Sequence, residues 1–220
     1  MKTIRLYFSL FALCCFPSLY ARAELGSGLL FPQFETGTVV FKNGGRSSAS
    51  LNYNMIQQEM VFLDADGSIM AIDNPLEISV VLIGERRFFP VSSLGVFYEA
   101  IPAGKNSFFV RHRAIRVSKG KAAAYGGYDP ISSATSYGSY QDNTGHTVKL
   151  NPDEKFQLRT ERIYYLKPGN SYKSFASAKT LGKLFKGHEA KIKEFADKES
   201  INFSKTEDVA RIVEYGYSLK

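Results

Sequence analysis

A chain of 220 residues, 44% of them hydrophobic, is long enough to bury a substantial core. Its net charge is +7, but Lys2, Arg5 and Arg22 supply three of those charges within a segment that we expect to be removed, which leaves +4. This modest charge argues against a nucleic-acid partner, and since the two cysteines stand at positions 14 and 15, a disulfide within the rest of the chain is excluded.

Residues 1–23 have the layout of a signal peptide. Lys2 and Arg5 form a positive start, an apolar run extends over residues 6–16, and small residues at 21 and 23 flank a cleavage point after Ala23. The apolar run has eleven residues, whereas a membrane-spanning helix needs about 20. We therefore predict an exported protein, periplasmic or associated with the outer surface, with no transmembrane span after cleavage.

Lipid attachment at Cys14 or Cys15 is the alternative interpretation of this segment. A lipoprotein signal normally places a small residue before its cysteine, but Leu13 and Cys14 stand in those places. Cleavage after Ala23 is therefore favoured.

Two hairpins are predicted at the start of the mature chain. The run at 38–42 is rich in β-branched residues and is followed by Asn43-Gly44, a pair that accepts the positive φ of a tight turn. Residues 60–63 and 68–72 form a second pair of predicted strands around an Asp-Ala-Asp-Gly turn at 64–67.

Further strands are predicted over 78–83, 87–91, 96–100, 108–117, 162–166 and 172–175. The nearly continuous apolar run at 78–83 indicates a central strand covered on both faces, and Pro90 indicates an edge or a strand end. The predicted fold class is mostly β with an α-helical C-terminus (α+β), in which an antiparallel meander forms a sandwich or a partly open barrel.

Three short amphipathic helices are predicted after the strands, over 176–185, 188–198 and 206–219. Ser204 followed by Glu207 matches a capping box and indicates where the last helix begins. The predicted organisation is a β domain over 24–175 and a helical segment over 176–220 that packs on it.

A tyrosine- and glycine-rich loop at 121–147 is the first candidate ligand site. Tyrosine faces can stack on sugars or anchor a protein partner, so Tyr125, Tyr128, Tyr137 and Tyr140 are candidate binding residues. The alternative is a mobile, soluble loop with some tyrosines folded back on the domain.

A cluster of arginines on one predicted strand is the second candidate. Alternation places Arg111 and Arg113 on one face and Arg116 on the other. An anion site here would favour acidic glycans or lipid head groups, and the alternative is a solvated edge that resists aggregation.

No catalytic or metal-binding motif accompanies these surfaces. His112, His146 and His188 lack a metal-ligand spacing, and Asp64 does not open a calcium loop because the twelfth position is Pro75. Glu85 and Glu99 could form a hydrolase pair if the fold brings them together. We predict no metal and no cofactor.

Two blocks of sequence resemble a group of exported β-rich proteins of Gram-negative bacteria of the Bacteroidetes type, a group without an assigned activity. The first is GTVVFKNGGRSSASLNYNMIQQEMVFLD with the later IGERRFFPV, and the second is LGKLFKGHEAKIKEFADKESINFSKTEDVARIVEYGYSL. The resemblance implies export and a β-rich fold, and it implies no catalytic residues.

The functional expectation is a non-enzymatic binding or assembly module of the cell envelope, with an envelope protein or a glycan as partner. The alternative is a glycan- or peptide-processing hydrolase whose carboxylates converge only in the fold.

Overall fold

A computed structural model describes residues 28–91, 95–118, 121–122, 128–129, 139–141, 147–149 and 156–220. The predicted signal peptide lies outside the described residues. None of the helices in the described part of the chain is both long and apolar enough to cross a membrane.

Eight strands follow one another at short intervals: β1 (Glu35–Phe41), β2 (Arg46–Asn54), β3 (Glu59–Leu63), β4 (Ile69–Ala71), β5 (Ile78–Ile83), β6 (Arg86–Pro90), β7 (Phe97–Ala103) and β8 (Asn106–Ser118). Two short hairpins come next, formed by β9 (Lys121–Ala122) with β10 (Tyr128–Asp129) and by β11 (Ser139–Gln141) with β12 (Thr147–Lys149). The remaining elements are β13 (Phe156–Leu166), β14 (Lys173–Phe175), α1 (Ala178–Gly182), α2 (Glu189–Lys198) and α3 (Thr206–Ser218).

Ten of these strands form one antiparallel sheet in the order β14-β13-β8-β7-β6-β5-β1-β2-β3-β4, and the sheet does not close on itself. It curls, because the turn after β2 reaches β7 and β8. The Ala114 amide donates to the Met55 carbonyl over 2.8 Å, and the Phe97 amide donates to the Gln58 carbonyl over 3.3 Å. The predicted fold class, an antiparallel meander followed by C-terminal helices, is confirmed.

The first predicted hairpin is confirmed with a longer turn. Four residues, Lys42 to Gly45, separate β1 from β2, and Gly44 has a φ of +87°. The Asn43 side chain accepts a hydrogen bond from the Gly45 amide at 2.9 Å, which fixes the wider loop.

The prediction of a central strand over 78–83 is correct in position, since β5 lies between β1 and β6. Val81 and Ile83 are buried on one face, whereas Val80 and Leu82 on the other face are only half-buried, so the strand is not fully covered on both faces. Pro90 is the last residue of β6, as expected of a proline at a strand end.

Two hydrophobic cores stabilise the sheet. The helical core joins buried residues of the three helices and of the turn after α1 to strands β8, β13 and β14: Phe108, Val110, Tyr164, Leu166, Phe175, Leu181, Phe185, Ile192, Val209, Ile212 and Val213. The curled-sheet core lies between the early strands of the sheet, reaches Ala114 of β8, and contains Leu51, Tyr53, Met60, Ile78, Val81, Ile83, Phe88 and Phe97. The apolar stripe predicted for α3 is the face that packs in the helical core.

The predicted capping box at Ser204 is wrong. Helix α3 begins after Lys205, which makes no side-chain cap hydrogen bond. The segment before it is held differently, because the Asn202 side chain accepts from the Ser204 amide at 2.8 Å and Asp208 accepts from the Asn202 amide at 3.0 Å. A capping box occurs instead at α1, between Ser177 and Thr180.

Candidate functional site

Most of the tyrosine-rich loop at 121–147 lies outside the described residues. Tyr128 lies in β10 and Tyr140 lies in β11, two strands of separate short hairpins. Tyr125 and Tyr137 lie outside the described residues. The four tyrosines therefore stay a prediction as ligand-binding residues.

The arginines of β8 are largely engaged by neighbouring side chains. Arg111 Nε donates to Gln58 Oε1. Arg113 Nη2 lies 2.5 Å from Glu161 Oε2, and Arg159 approaches the other oxygen of that carboxylate at 2.9 Å. Arg116 is exposed. The predicted anion site at Arg111, Arg113 and Arg116 stays untested, and a buried charged group lies on the face of the sheet opposite to Arg111 and Arg113.

That opposite face, which we call the inner face, carries Arg86, Glu99 and His112 on the adjacent strands β6, β7 and β8. Glu99 pairs with Phe88 on one side and with Val110 on the other. Because side chains alternate along a strand, Arg86 and His112 share the face of Glu99, each diagonally across from it. We refer to these three residues as the polar trio.

Glu99 is the centre of the polar trio. Its Oε1 accepts from Arg86 Nε at 2.6 Å, and its Oε2 accepts from Arg86 Nη2 at 2.7 Å. His112 Nε2 lies 2.6 Å from the same Oε2. Since an ionised carboxylate can only accept, His112 Nε2 is the protonated ring nitrogen, and Arg86 and His112 both donate to one buried acceptor.

Burial and hydrogen bonding act on Glu99 in opposite directions. The residue is only 4% exposed, and burial alone would raise its pKa. The hydrogen bonds from Arg86 and His112 outweigh burial and lower the pKa of Glu99 from 4.5 to about 2. Glu99 is therefore a permanent carboxylate at any physiological pH.

Aromatic residues fix the polar trio from the side of the curled-sheet core. The Arg86 guanidinium lies 4.7 Å from the Phe31 ring centroid and 5.4 Å from that of Phe88, within cation–π range. The Tyr53 hydroxyl lies 3.2 Å from the Phe97 carbonyl and 3.3 Å from the His112 carbonyl, and its burial raises the pKa of Tyr53. The hydroxyl thus ties β2 to β7 and β8.

A cavity of about 440 Å³ opens beside the polar trio, between the inner face and the start of α3. Its wall combines apolar side chains with charged and hydroxyl groups: Leu30, Met55, Arg86, Glu99, Ile101, Val110, His112, Thr160, Glu161, Arg162, Thr206 and Glu207. The volume falls within the range of small-molecule sites.

Arg162 differs from the other arginine of the cavity. It is exposed, its Nη1 donates to Thr206 Oγ1 at 3.0 Å, and it forms no ion pair with a carboxylate within the described ranges. Arg86, in contrast, uses Nε and Nη2 on Glu99. Arg162 therefore brings to the cavity wall a guanidinium that is not held in an ion pair, although Glu161 and Glu207 line the same cavity.

A second cavity of about 430 Å³ shares Thr160, Glu161 and Arg162 with the first, so the two adjoin along β13. Tyr164 and Phe203 line the second cavity. The Tyr164 hydroxyl is buried and has no hydrogen-bond partner among the residues that the structure describes. Arg162 stands where the two cavities meet.

The suggested carboxylate pair does not form around Glu99. Glu85 is exposed in the turn between β5 and β6, whereas Glu99 is buried and bound to Arg86 and His112. The described residues hold no group of three or more His, Cys, Asp or Glu that could bind a metal ion.

Sequence reasoning missed Arg86 and Arg162 and gave His112 no partner. One signal was present, because Glu99 interrupts the apolar run Phe97 to Ile101, and a carboxylate in a buried strand needs a partner.

Comparisons of the chain with protein families, with curated proteins and with solved structures found no match.

Proposed function

We propose that this chain is an exported cell-envelope protein that acts as a non-enzymatic binding module for small carboxylate-bearing molecules. The observation that carries the proposal is Arg162, a guanidinium without a carboxylate partner in the described part of the chain, at the wall of the 440 Å³ cavity. Guanidinium groups bind carboxylates through parallel hydrogen bonds, which gives direction as well as strength.

The rest of the cavity suits a ligand with both polar and apolar surface. Thr160 and Thr206 offer hydroxyls that can donate or accept, and Glu207 offers an acceptor, while Met55 and Ile101 give apolar contact. An acidic sugar has this mixture of groups, and so does the C-terminus of a short peptide. Both present the carboxylate that Arg162 would bind.

The state of Glu99 favours binding over hydrolysis. A general acid must carry a proton at the working pH, but the pKa of Glu99 is held at about 2 despite its burial, by the donors Arg86 and His112. Its two oxygens are committed to these partners. The polar trio supports the cavity wall and supplies no free acid or nucleophile.

Arg162→Gln is expected to weaken carboxylate binding about tenfold, because the ligand loses a charge-assisted pair of hydrogen bonds. Isothermal titration calorimetry with glucuronate against glucose, and with an acetylated dipeptide acid against its amide, would separate the two ligand sources. Arg87→Gln is the matched control, since Arg87 is exposed and alternation puts it on the opposite face of β6 from Arg86.

Three results would count against this proposal. If glucose binds as tightly as glucuronate, the carboxylate of the ligand does not contribute to binding. An equal loss of affinity in Arg162→Gln and Arg87→Gln would indicate a general charge effect. Turnover of a glycan or a peptide that Glu99→Gln abolishes would favour the hydrolase instead.

Export is tested on the protein made in a Gram-negative host. We expect the purified mature protein to begin at Glu24, because cleavage after Ala23 follows the small-residue pattern. Edman sequencing and intact mass of the periplasmic fraction would measure this. Retention in the cytoplasm with Met1 intact would contradict export, and a lipid-modified mass would favour Cys14 or Cys15.

A further inference from the structure

Strand β4 ends the sheet and is apolar where edge strands are usually polar. It pairs with β3 through Val61–Ala71, Phe62–Met70 and Leu63–Ile69, and it pairs with no other strand of the described residues. Ile69 is 55% exposed and Met70 is 48% exposed. Proteins normally protect such edges with lysine, proline or a covering segment. Here an open backbone edge and two exposed apolar side chains coincide.

The same region has a strongly one-sided charge. Between Arg46 and Arg86 the chain contains six acidic residues and no basic residue. Asp64 and Asp66 lie in the turn that leads into β4, and Asp73 follows the strand. None of these three forms an ion pair with a described residue. The negative charge is therefore available to a partner.

The turn holds β4 in place for such a partner. Asp64 Oδ1 accepts from the Asp66 amide at 3.0 Å and from the Ser68 amide at 2.9 Å. The Asp64 amide itself donates to the Ser68 carbonyl at 3.0 Å. A template that is already extended and ordered lowers the entropy cost of adding a strand.

We propose that β4 is a docking edge for an extended segment of another protein that carries lysine or arginine between apolar residues. The segment adds to the sheet as an eleventh strand through main-chain hydrogen bonds, a known mode of peptide recognition. Ile69 and Met70 point to opposite faces of the sheet, so the apolar side chains of the segment cover one of the two, while its cations lie on the other face and pair with Asp66 and Asp73. This surface is independent of the cavity at Arg162.

The test uses a fluorescein-labelled peptide of alternating lysine and valine, about eight residues long, with an alternating glutamate and valine peptide as control. Fluorescence anisotropy should show binding of the lysine peptide only. Hydrogen exchange should show new protection of the amides of β4 when the lysine peptide is bound, which an association through charge alone would not give.

Two double variants separate the contributions. Ile69→Thr with Met70→Thr keeps strand propensity but removes apolar contact, and should weaken binding about tenfold. Asp66→Asn with Asp73→Asn should weaken binding and flatten its dependence on salt. Glu85→Gln with Glu194→Gln removes the same charge from exposed positions outside the β4 hairpin and should change little. Circular dichroism would check that each variant is folded.

The proposal is overturned if the glutamate peptide binds equally well, or if the threonine variant binds as the parent does. It is also overturned if the parent protein alone forms a dimer in sedimentation velocity and the threonine variant does not, since β4 would then serve a second copy of this chain. Failure of glucuronate binding would leave these outcomes unaffected.

Discussion

Glu99→Gln is expected to lower the free energy of unfolding by about 3 kcal/mol, the cost of removing one partner from a buried charged network. Glutamine is similar in size, so the loss is electrostatic. Arg86 and His112 would keep their donors facing a neutral amide that cannot balance a guanidinium. Urea denaturation followed by circular dichroism would measure the change.

Glu161→Gln is the control for this variant, because Glu161 also binds two arginines but on the solvent side. Exposed ion pairs contribute at most about 1 kcal/mol. An equal loss in the two variants would show that burial of Glu99 has no special effect, and would contradict the prediction.

The same carboxylate predicts how stability depends on pH. The pKa of Glu99 in the folded protein is about 2, below its usual 4.5, because the hydrogen bonds from Arg86 and His112 outweigh its burial. Its contribution is therefore complete above pH 4.5 and is lost as the pH falls towards 2. The stability difference between the parent and Glu99→Gln should shrink over that interval, and a constant difference would contradict it.

Ile212→Ala is expected to cost about 3 kcal/mol, within the range for truncating a buried aliphatic side chain. Ile212 lies on α3, is fully buried, and belongs to the core that contains Phe108 and Val110 of β8. The helices and the sheet should therefore lose stability together. Tyrosine fluorescence and far-ultraviolet circular dichroism would follow the transition.

Arg211→Ala provides the control on the same helix. Arg211 is exposed and pairs with Glu199 at 2.5 Å and with Asp208 at 3.3 Å, so its loss should cost about 1 kcal/mol or less. The helices of Ile212→Ala could instead unfold at a lower urea concentration than the sheet, whose unfolding midpoint stays that of the parent. The helices would then form a separate folding unit, which would contradict the prediction.

Local sequence patterns were sufficient to predict most elements. Strands β1 to β3 and helix α3 each bury one face, and this leaves a periodic pattern of apolar residues in the sequence. In α3 the pattern is the stripe of Val209, Ile212 and Val213. The start of α3 at Thr206 was predicted correctly, but its capping box was not, because Lys205 is the N-cap residue and the Ser204 amide donates to the Asn202 side chain.

The candidate site could not be predicted because it depends on register between strands. Glu99 lies thirteen positions after Arg86 and thirteen before His112, and the three meet only when β6, β7 and β8 pair as they do. A shift of one residue would place Glu99 on the other face. Arg162 enters from β13, after a long connection whose sequence contains no indication of that pairing.

The strand order has a consequence for synthesis. β1 is the first of the described strands, yet it lies inside the sheet between β2 and β5. A nascent chain that has released only its first four strands can pair β1 with β2 but exposes the other side of β1. That open edge persists until Ile83 has emerged, and such edges invite wrong pairing between chains. During production the chain should therefore depend on a chaperone, or on slow release, before β5 is complete.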